Sequence, residues 1–292
     1  MNRFEQLGPW PARALWIALA LVSGPALDDA VGGRTSAVQL VVLTGLSLWW
    51  FAGFVALLVP RSTALTALRI VVPGGLAAAI ATALGGRTVD TTDVVVVAVA
   101  ALATLAVLVP WIGDTWVDGS SYGAERRLLL RPPVLFSTFL VPVTWVLVVV
   151  GVAVGPLLLA SQQWISGLLA LVVGWAVAAA GARSLHQLAR RWIVLVPTGL
   201  VIHDSLTMPE PQLILRRMIT RLGPALADTE ADDLTAGASG LALQLDLAEP
   251  VDLLLRDGNR ATKTKATASL LFTPTRPKHL LDAASAQRIH IG

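Results

Sequence analysis

Six apolar runs of nearly bilayer-crossing length fill most of the first 183 residues and restrict that part of the chain to membrane helices. A helix crossing the hydrocarbon core needs about 20 predominantly apolar residues. Ala37–Pro60, Ser62–Leu84, Val94–Gly113, Pro133–Ala160 and Gln163–Ala182 reach that length directly. The opening run, Ala14–Leu27, is only 14 residues long; it becomes a span when Trp10 and Pro11 join it and Arg13 snorkels to the headgroups. Asp28 and Asp29 follow at once and leave no small-residue cleavage site, so the run reads as an uncleaved first span and not a secretory signal. The expected spans are therefore about 12–28, 37–60, 62–84, 94–113, 133–160 and 163–182.

Composition agrees. Charged residues make up 14% of the chain, where a soluble protein carries about 25%. With no cysteine, disulfide frameworks, thiolate metal sites and cysteine nucleophiles are excluded. A net charge of +3 without a basic block gives nucleic-acid binding no support. Only Lys263, Lys265 and Lys278 are lysine, and the Arg, Ala and Val bias fits a high-GC bacterial genome.

Short cytoplasmic loops accumulate Lys and Arg, which orients the spans. With six spans and the N-terminus inside, the inner segments hold Arg3, Arg13, Arg61, Arg126, Arg127, Arg131, Arg183, Arg190 and Arg191. The outer loops hold only Arg34 and Arg87. The bias places both termini in the cytoplasm of a bacterium with the chain in its inner membrane. Trp10, Trp111, Trp116, Trp164 and Trp192 lie near span ends, where interfacial rings are favoured. Pro142 and Pro156 predict kinks in the fifth span, and Gly151 and Gly155 let another helix approach it closely. Arg69 is the one charge well inside a span and marks a candidate intramembrane polar site; eight residues from Arg61, its structural alternatives are facing the inner interface or pairing with a polar group between helices.

The texture changes after Arg183. The stretch RRWIVLVPTGLVIHD, Arg190–Asp204, is apolar enough to resemble a seventh span. Trp192–Ile202 is only eleven residues, however, and Pro197-Thr198-Gly199 interrupts it, so it predicts a hairpin. Period-two alternation follows at Leu241–Leu247, Val251–Leu255 and Thr262–Phe272, with a turn at Asp257-Gly258 between the last two. Pro277 then opens a short closing helix. Charges in 184–292 nearly cancel, 12 basic against 11 acidic, as in a small cytosolic α+β domain.

Residues 190–290 resemble bacterial pleckstrin-homology-like domains through Arg191-Trp192-Ile193-Val194-Leu195, Thr198 with Gly199-Leu200-Val201-Ile202 to Asp204, and Leu213-Ile214-Leu215-Arg216-Arg217-Met218-Ile219. The resemblance implies a curved antiparallel sheet closed by a C-terminal helix, with no common catalytic residue. Two departures stand out. Six plausible strands are legible where that fold has seven, and six preceding spans exceed the usual helical pair. The expected architecture is a six-span bundle, 1–183, followed by a cytosolic domain, 184–292.

Candidate chemistry is sparse, and no catalytic, cofactor or metal residues are assigned. Asp114 and Asp118-Gly119 invite comparison with membrane phosphatidyltransferases, but Tyr122-Gly123 replaces the expected Ala-Arg and no further aspartate follows before the next span. His186, His203, His279 and His290 lack metal-ligand spacing. Gly237-Ala238-Ser239-Gly240 lacks the lysine of a phosphate loop. Arg126, Arg127, Arg131, Arg190 and Arg191 are candidate contacts to anionic lipid headgroups, though the inside rule alone also explains them. The sequence thus predicts a non-catalytic scaffold or regulator, bound to the bilayer and to a membrane or cytosolic protein or to itself. A transporter or lipid-handling bundle is the alternative.

Overall fold

The computed structural model describes residues 7–86, 88–257 and 261–292. Arg3, Arg87 and Gly258 of the predicted turn lie outside the described residues. The chain divides into two compact units. One holds residues up to Trp116 together with Val143–Leu185, and the other holds Val117–Pro142 with His186–Gly292.

The helical unit opens with α1 (Trp10–Val22) and α2 (Gly24–Val31), bent by 45° at Ser23. Pro25 sits just past the bend; it has no N–H to give Leu21 and its ring crowds that carbonyl. Next come α3 (Ser36–Leu58), capped by Thr35, and α4 (Ser62–Gly85). Asp90 and Asp93 form a reciprocal capping box that starts α5 (Thr91–Leu108). The expected span 94–113 divides there: α5 stops before Pro110, which begins α6 (Pro110–Asp118) because proline suits a first helical turn. Further on lie α7 (Val141–Ala160) and α8 (Trp164–Leu188). A π-helical turn at Phe136–Leu140 leads into α7 just ahead of Pro142, which again lacks a donor. Among the described residues five helices are long and apolar enough to cross a membrane, six if the bent α1–α2 pair is one span.

Glycine decides how α7 and α8 meet. A Cβ on Gly151 would stand 2.5 Å from the Gly174 carbonyl, and one on Gly155 would stand 2.5 Å from the Leu171 backbone. The predicted close approach through Gly151 and Gly155 is made on α8.

The sheet unit contains a strand in the segment between the fourth and fifth expected spans. β1 (Arg126–Leu129) pairs antiparallel with β2 (Arg191–Val196), from Arg126 opposite Leu195 to Leu129 opposite Trp192. The pair in α7 and α8 is thus inserted between two adjacent strands. β3 (Gly199–Asp204) and β4 (Gln212–Leu215) complete the first sheet in the order β1-β2-β3-β4. The Arg190–Asp204 stretch is the β2–β3 hairpin, closing where Val196 pairs with Gly199. Gly199 is required there, because a Cβ would collide with the Ile214 carbonyl on β4.

The second sheet has the order β5-β7-β8-β6, with β5 (Ile219–Pro224), the two-residue β6 (Asp232–Asp233), β7 (Leu243–Asp257) and β8 (Ala261–Phe272). The two separately predicted runs at Leu241–Leu247 and Val251–Leu255 are one long strand with an irregular register between Asp246 and Val251. β6 runs parallel to β8, Asp232 beside Leu270 and Asp233 beside Leu271. Leu195, Leu200, Ile202, Leu222, Leu245, Leu270 and Phe272 form a dry core, joined by Leu280 and Ala284 of α9 (Pro277–Ala286).

Candidate functional site

The features that distinguish the sheet unit gather where β1 ends and β2 begins, at the two roots of the helical pair. Arg191 opens β2 and Asp204 closes β3, and antiparallel register sets them opposite each other. Arg191 donates through Nε and Nη2 to the two Asp204 oxygens at 2.7 Å each, and through Nη1 to the Arg131 carbonyl at 2.8 Å. The backbone N–H of Leu206 adds a 3.0 Å bond to Asp204. Their side chains are 1% and 0% exposed, so this is a fully desolvated, bidentate pair. Leu130 also donates its N–H to the Arg191 carbonyl, at 2.9 Å. Together these bonds fasten the exit of β1 to the entry of β2.

This geometry sorts the five predicted headgroup arginines. Arg191 is removed from the set: it is turned inward and held by Asp204. Arg126 is exposed but bonds Asp118 at 2.8 Å, and Arg127 bonds Glu125 at 3.0 Å. Arg131 and Arg190 have no ion-pair partner among the described residues, and both are partly exposed. The Arg131 guanidinium lies against Gly240, where a Cβ would approach it to 3.1 Å. Arg131 and Arg190 are therefore the two cations of the set free to meet an anion.

Beside them, the Trp192 and His203 rings stack across β2 and β3 at 4.7 Å and 13°. Burial, then the positive charge of Arg190, holds His203 below its ordinary imidazole value; Asp204 opposes this and Arg127 adds to it. Trp192 is buried rather than interfacial, and so is Trp116, whose indole donates to the Ala56 carbonyl at 2.9 Å. Trp10 and Trp164 are exposed.

The remaining candidates resolve separately. Asp118 accepts from Ser121, Arg126 and the Arg127 backbone, and so organises the turn into β1. In the helical unit, Arg69 interacts electrostatically with buried Asp114, a partner on α6 that sequence spacing did not suggest. Among the described residues no group of His, Asp or Glu is arranged to hold a metal.

One feature of the first sheet escaped the sequence reading. Its inner face is the core, yet the opposite face is also largely apolar, carrying Leu129, Trp192, Val194, Val201 and Leu213 beside Arg127 and His203. An antiparallel sheet with one wet face normally alternates apolar and polar residues. Leu129, Trp192 and Val194 are buried, Val201 is partly covered, and Leu213 on edge strand β4 is 48% exposed. The signal was present as the continuous apolar run of β2, which marks a strand needing cover on both faces.

No protein-family model, curated protein or solved structure matches the chain.

Proposed function

We propose that this chain is a polytopic bacterial inner-membrane protein with both termini cytoplasmic. Its bundle anchors a non-catalytic scaffold or regulator domain of pleckstrin-homology-like type, which engages a protein partner. The observation that carries the partner reading is the largely apolar outer face of the first sheet, whose row Arg127–Val194–Val201–Leu213 ends on β4, an edge with no further strand among the described residues. Apolar surface at a strand edge favours association, since edge N–H and C=O groups add to the burial. The domain reading is supported by a four-stranded antiparallel sheet, a second sheet that is antiparallel except for the short parallel β6, and a closing helix. Arg131 and Arg190, at the roots of a helical pair, suit anionic headgroups at about 1 kcal/mol each.

The test is capture from native membranes with full-length Val201→Asp/Leu213→Glu. A partner retained by the parent chain and lost by the variant supports the reading; equal capture by both overturns it. A reporter fused after Gly292 should be active only in the cytoplasm. A lipid-handling bundle is the second reading, favoured by an apolar cleft between the first helices.

A further inference from the structure

The bend between α1 and α2 leaves a cleft of about 820 Å³ in the helical unit. Its walls come from α1 and α2 (Leu19, Leu27), α3 (Leu43, Trp50) and α4 (Gly75, Ala78). Three observations say what it suits.

The walls are fixed. The Trp16 ring lies over Gly53 and Gly75, where added Cβ atoms would come within 2.6 and 2.9 Å of it. Trp16 and Trp50 each donate an indole N–H to the other's backbone carbonyl at 2.9 Å. The cleft cannot close by swinging these rings.

The walls are also chemically quiet. All three indole donors are used, Trp49 on the Val71 carbonyl, and the Ser23 and Thr82 hydroxyls donate to Ala20 and Ala79 carbonyls of their own helices, which leaves Thr44 and Ser47 as the other hydroxyls on the walls. A polar solute would gain little there, whereas a hydrocarbon chain would lose nothing.

One carboxylate stands close to the rim. Gly24 lines the cleft, and Asp28, one helical turn further along α2, is exposed on the same helix face.

From these we propose that the cleft holds one acyl chain of a bilayer phospholipid with an amine-bearing headgroup, its ammonium directed to Asp28. The inference rests on the membrane reading above. With the N-terminus inside, the cleft lies in the outer half of the bundle, and the outer leaflet supplies the lipid.

The experiment places the purified full chain in vesicles of phosphatidylethanolamine and phosphatidylglycerol. Either lipid carries a trace of photoactivatable acyl chain. Labelling by the ethanolamine lipid is expected to concentrate on Leu19–Leu27 and Leu43–Phe51. It should fall about tenfold in Ala78→Phe and in Thr44→Trp, which fill the cleft from opposite walls. Asp28→Asn should remove the preference for the ethanolamine lipid while labelling by the glycerol lipid persists. Labelling spread evenly onto the outward residues Ile165 and Leu168 of α8, or unchanged by both filling variants, overturns the site. Equal labelling by both lipids in the parent chain overturns the headgroup assignment. Release of the protein from native membranes by alkaline carbonate is a different failure, because it removes the membrane reading itself.

Discussion

The helical unit ties its elements together mostly with neutral indole donors, beside Arg13 on the Leu57 carbonyl and Arg69 near Asp114, whereas the sheet unit has a fully buried bidentate ion pair. Five indoles reach backbone carbonyls on other helices: Trp16 to Trp50, Trp50 to Trp16, Trp49 to Val71, Trp116 to Ala56 and Trp145 to Ile70, at 2.8–3.1 Å. A helical carbonyl already bonded within its helix keeps a second lone pair, so the indole is satisfied without unpairing the backbone. Indole also has only one polar atom to desolvate. Arg191 solves a different problem: held on β3 by Asp204, it bonds Arg131 and Leu130 and so joins the two ends of a 61-residue excursion between Leu129 and Arg191. A guanidinium fork facing a carboxylate gives direction that a single N–H does not. Apolar surroundings favour the neutral tie; a sheet domain can house the charged one if both partners are buried together.

The largest test of this contrast leaves one charge of the pair alone. Asp204→Ala strands the Arg191 guanidinium in a dry site and should cost about 3–5 kcal/mol. Arg191→Met/Asp204→Leu removes both charges and should lie close to the parent. Thermal unfolding of the full chain in detergent, followed by a reporter on the sheet unit, reads both. A loss below 1 kcal/mol for Asp204→Ala would mean the pair is hydrated in solution.

A smaller effect tests the neutral ties. Gly74 faces the Trp49 ring so closely that a Cβ has no place, and Gly53 faces Trp16 at 2.6 Å. Gly53→Ala should destabilise the helical unit by about 1–3 kcal/mol through overpacking. Trp16→Leu in the same chain should recover part of that loss, since it removes the ring the methyl group strikes. Two losses that simply add would show that Gly53 serves its own helix and not the indole.

How legible the molecule was follows the same division. The long apolar helices, the β2–β3 hairpin and the closing helix were readable because each is encoded in consecutive residues. β1 was not: Arg126–Leu129 is four residues with no alternation, and its partner lies beyond two long helices. The break before Pro110 was hidden because hydropathy runs on through Val109–Gly113. Of the five candidate arginines, charge alone could not separate Arg191 from Arg190. Burial of the first follows from strand register opposite Asp204, which only pairing reveals. Tryptophans near span ends suggested a belt, but Trp116 and Trp192 turn inward because pairing partners exist there, an Ala56 carbonyl and the His203 ring.

The smallest effect concerns pH and separates the two units again, because it should appear only in the sheet. His203 sits below the ordinary histidine value of about 6.5. As pH falls through that ordinary value, the unfolded chain takes up a proton that the folded site still refuses. Stability is therefore full above it, declines as pH drops, and levels off once the folded imidazole also titrates. Asp232 and Asp246 act in a separate, more acidic window. Burial raises both carboxylates, but bonds from Lys265 and Thr267 to Asp232, and from Ser269, Gln244 and Arg221 to Asp246, outweigh it and hold both below their usual range. Their contribution is lost only as pH falls through those lowered values. His203→Gln should flatten the first decline and leave the second in place. A first decline that persists in His203→Gln would assign it to another histidine and leave the Trp192 stack without a role in pH response.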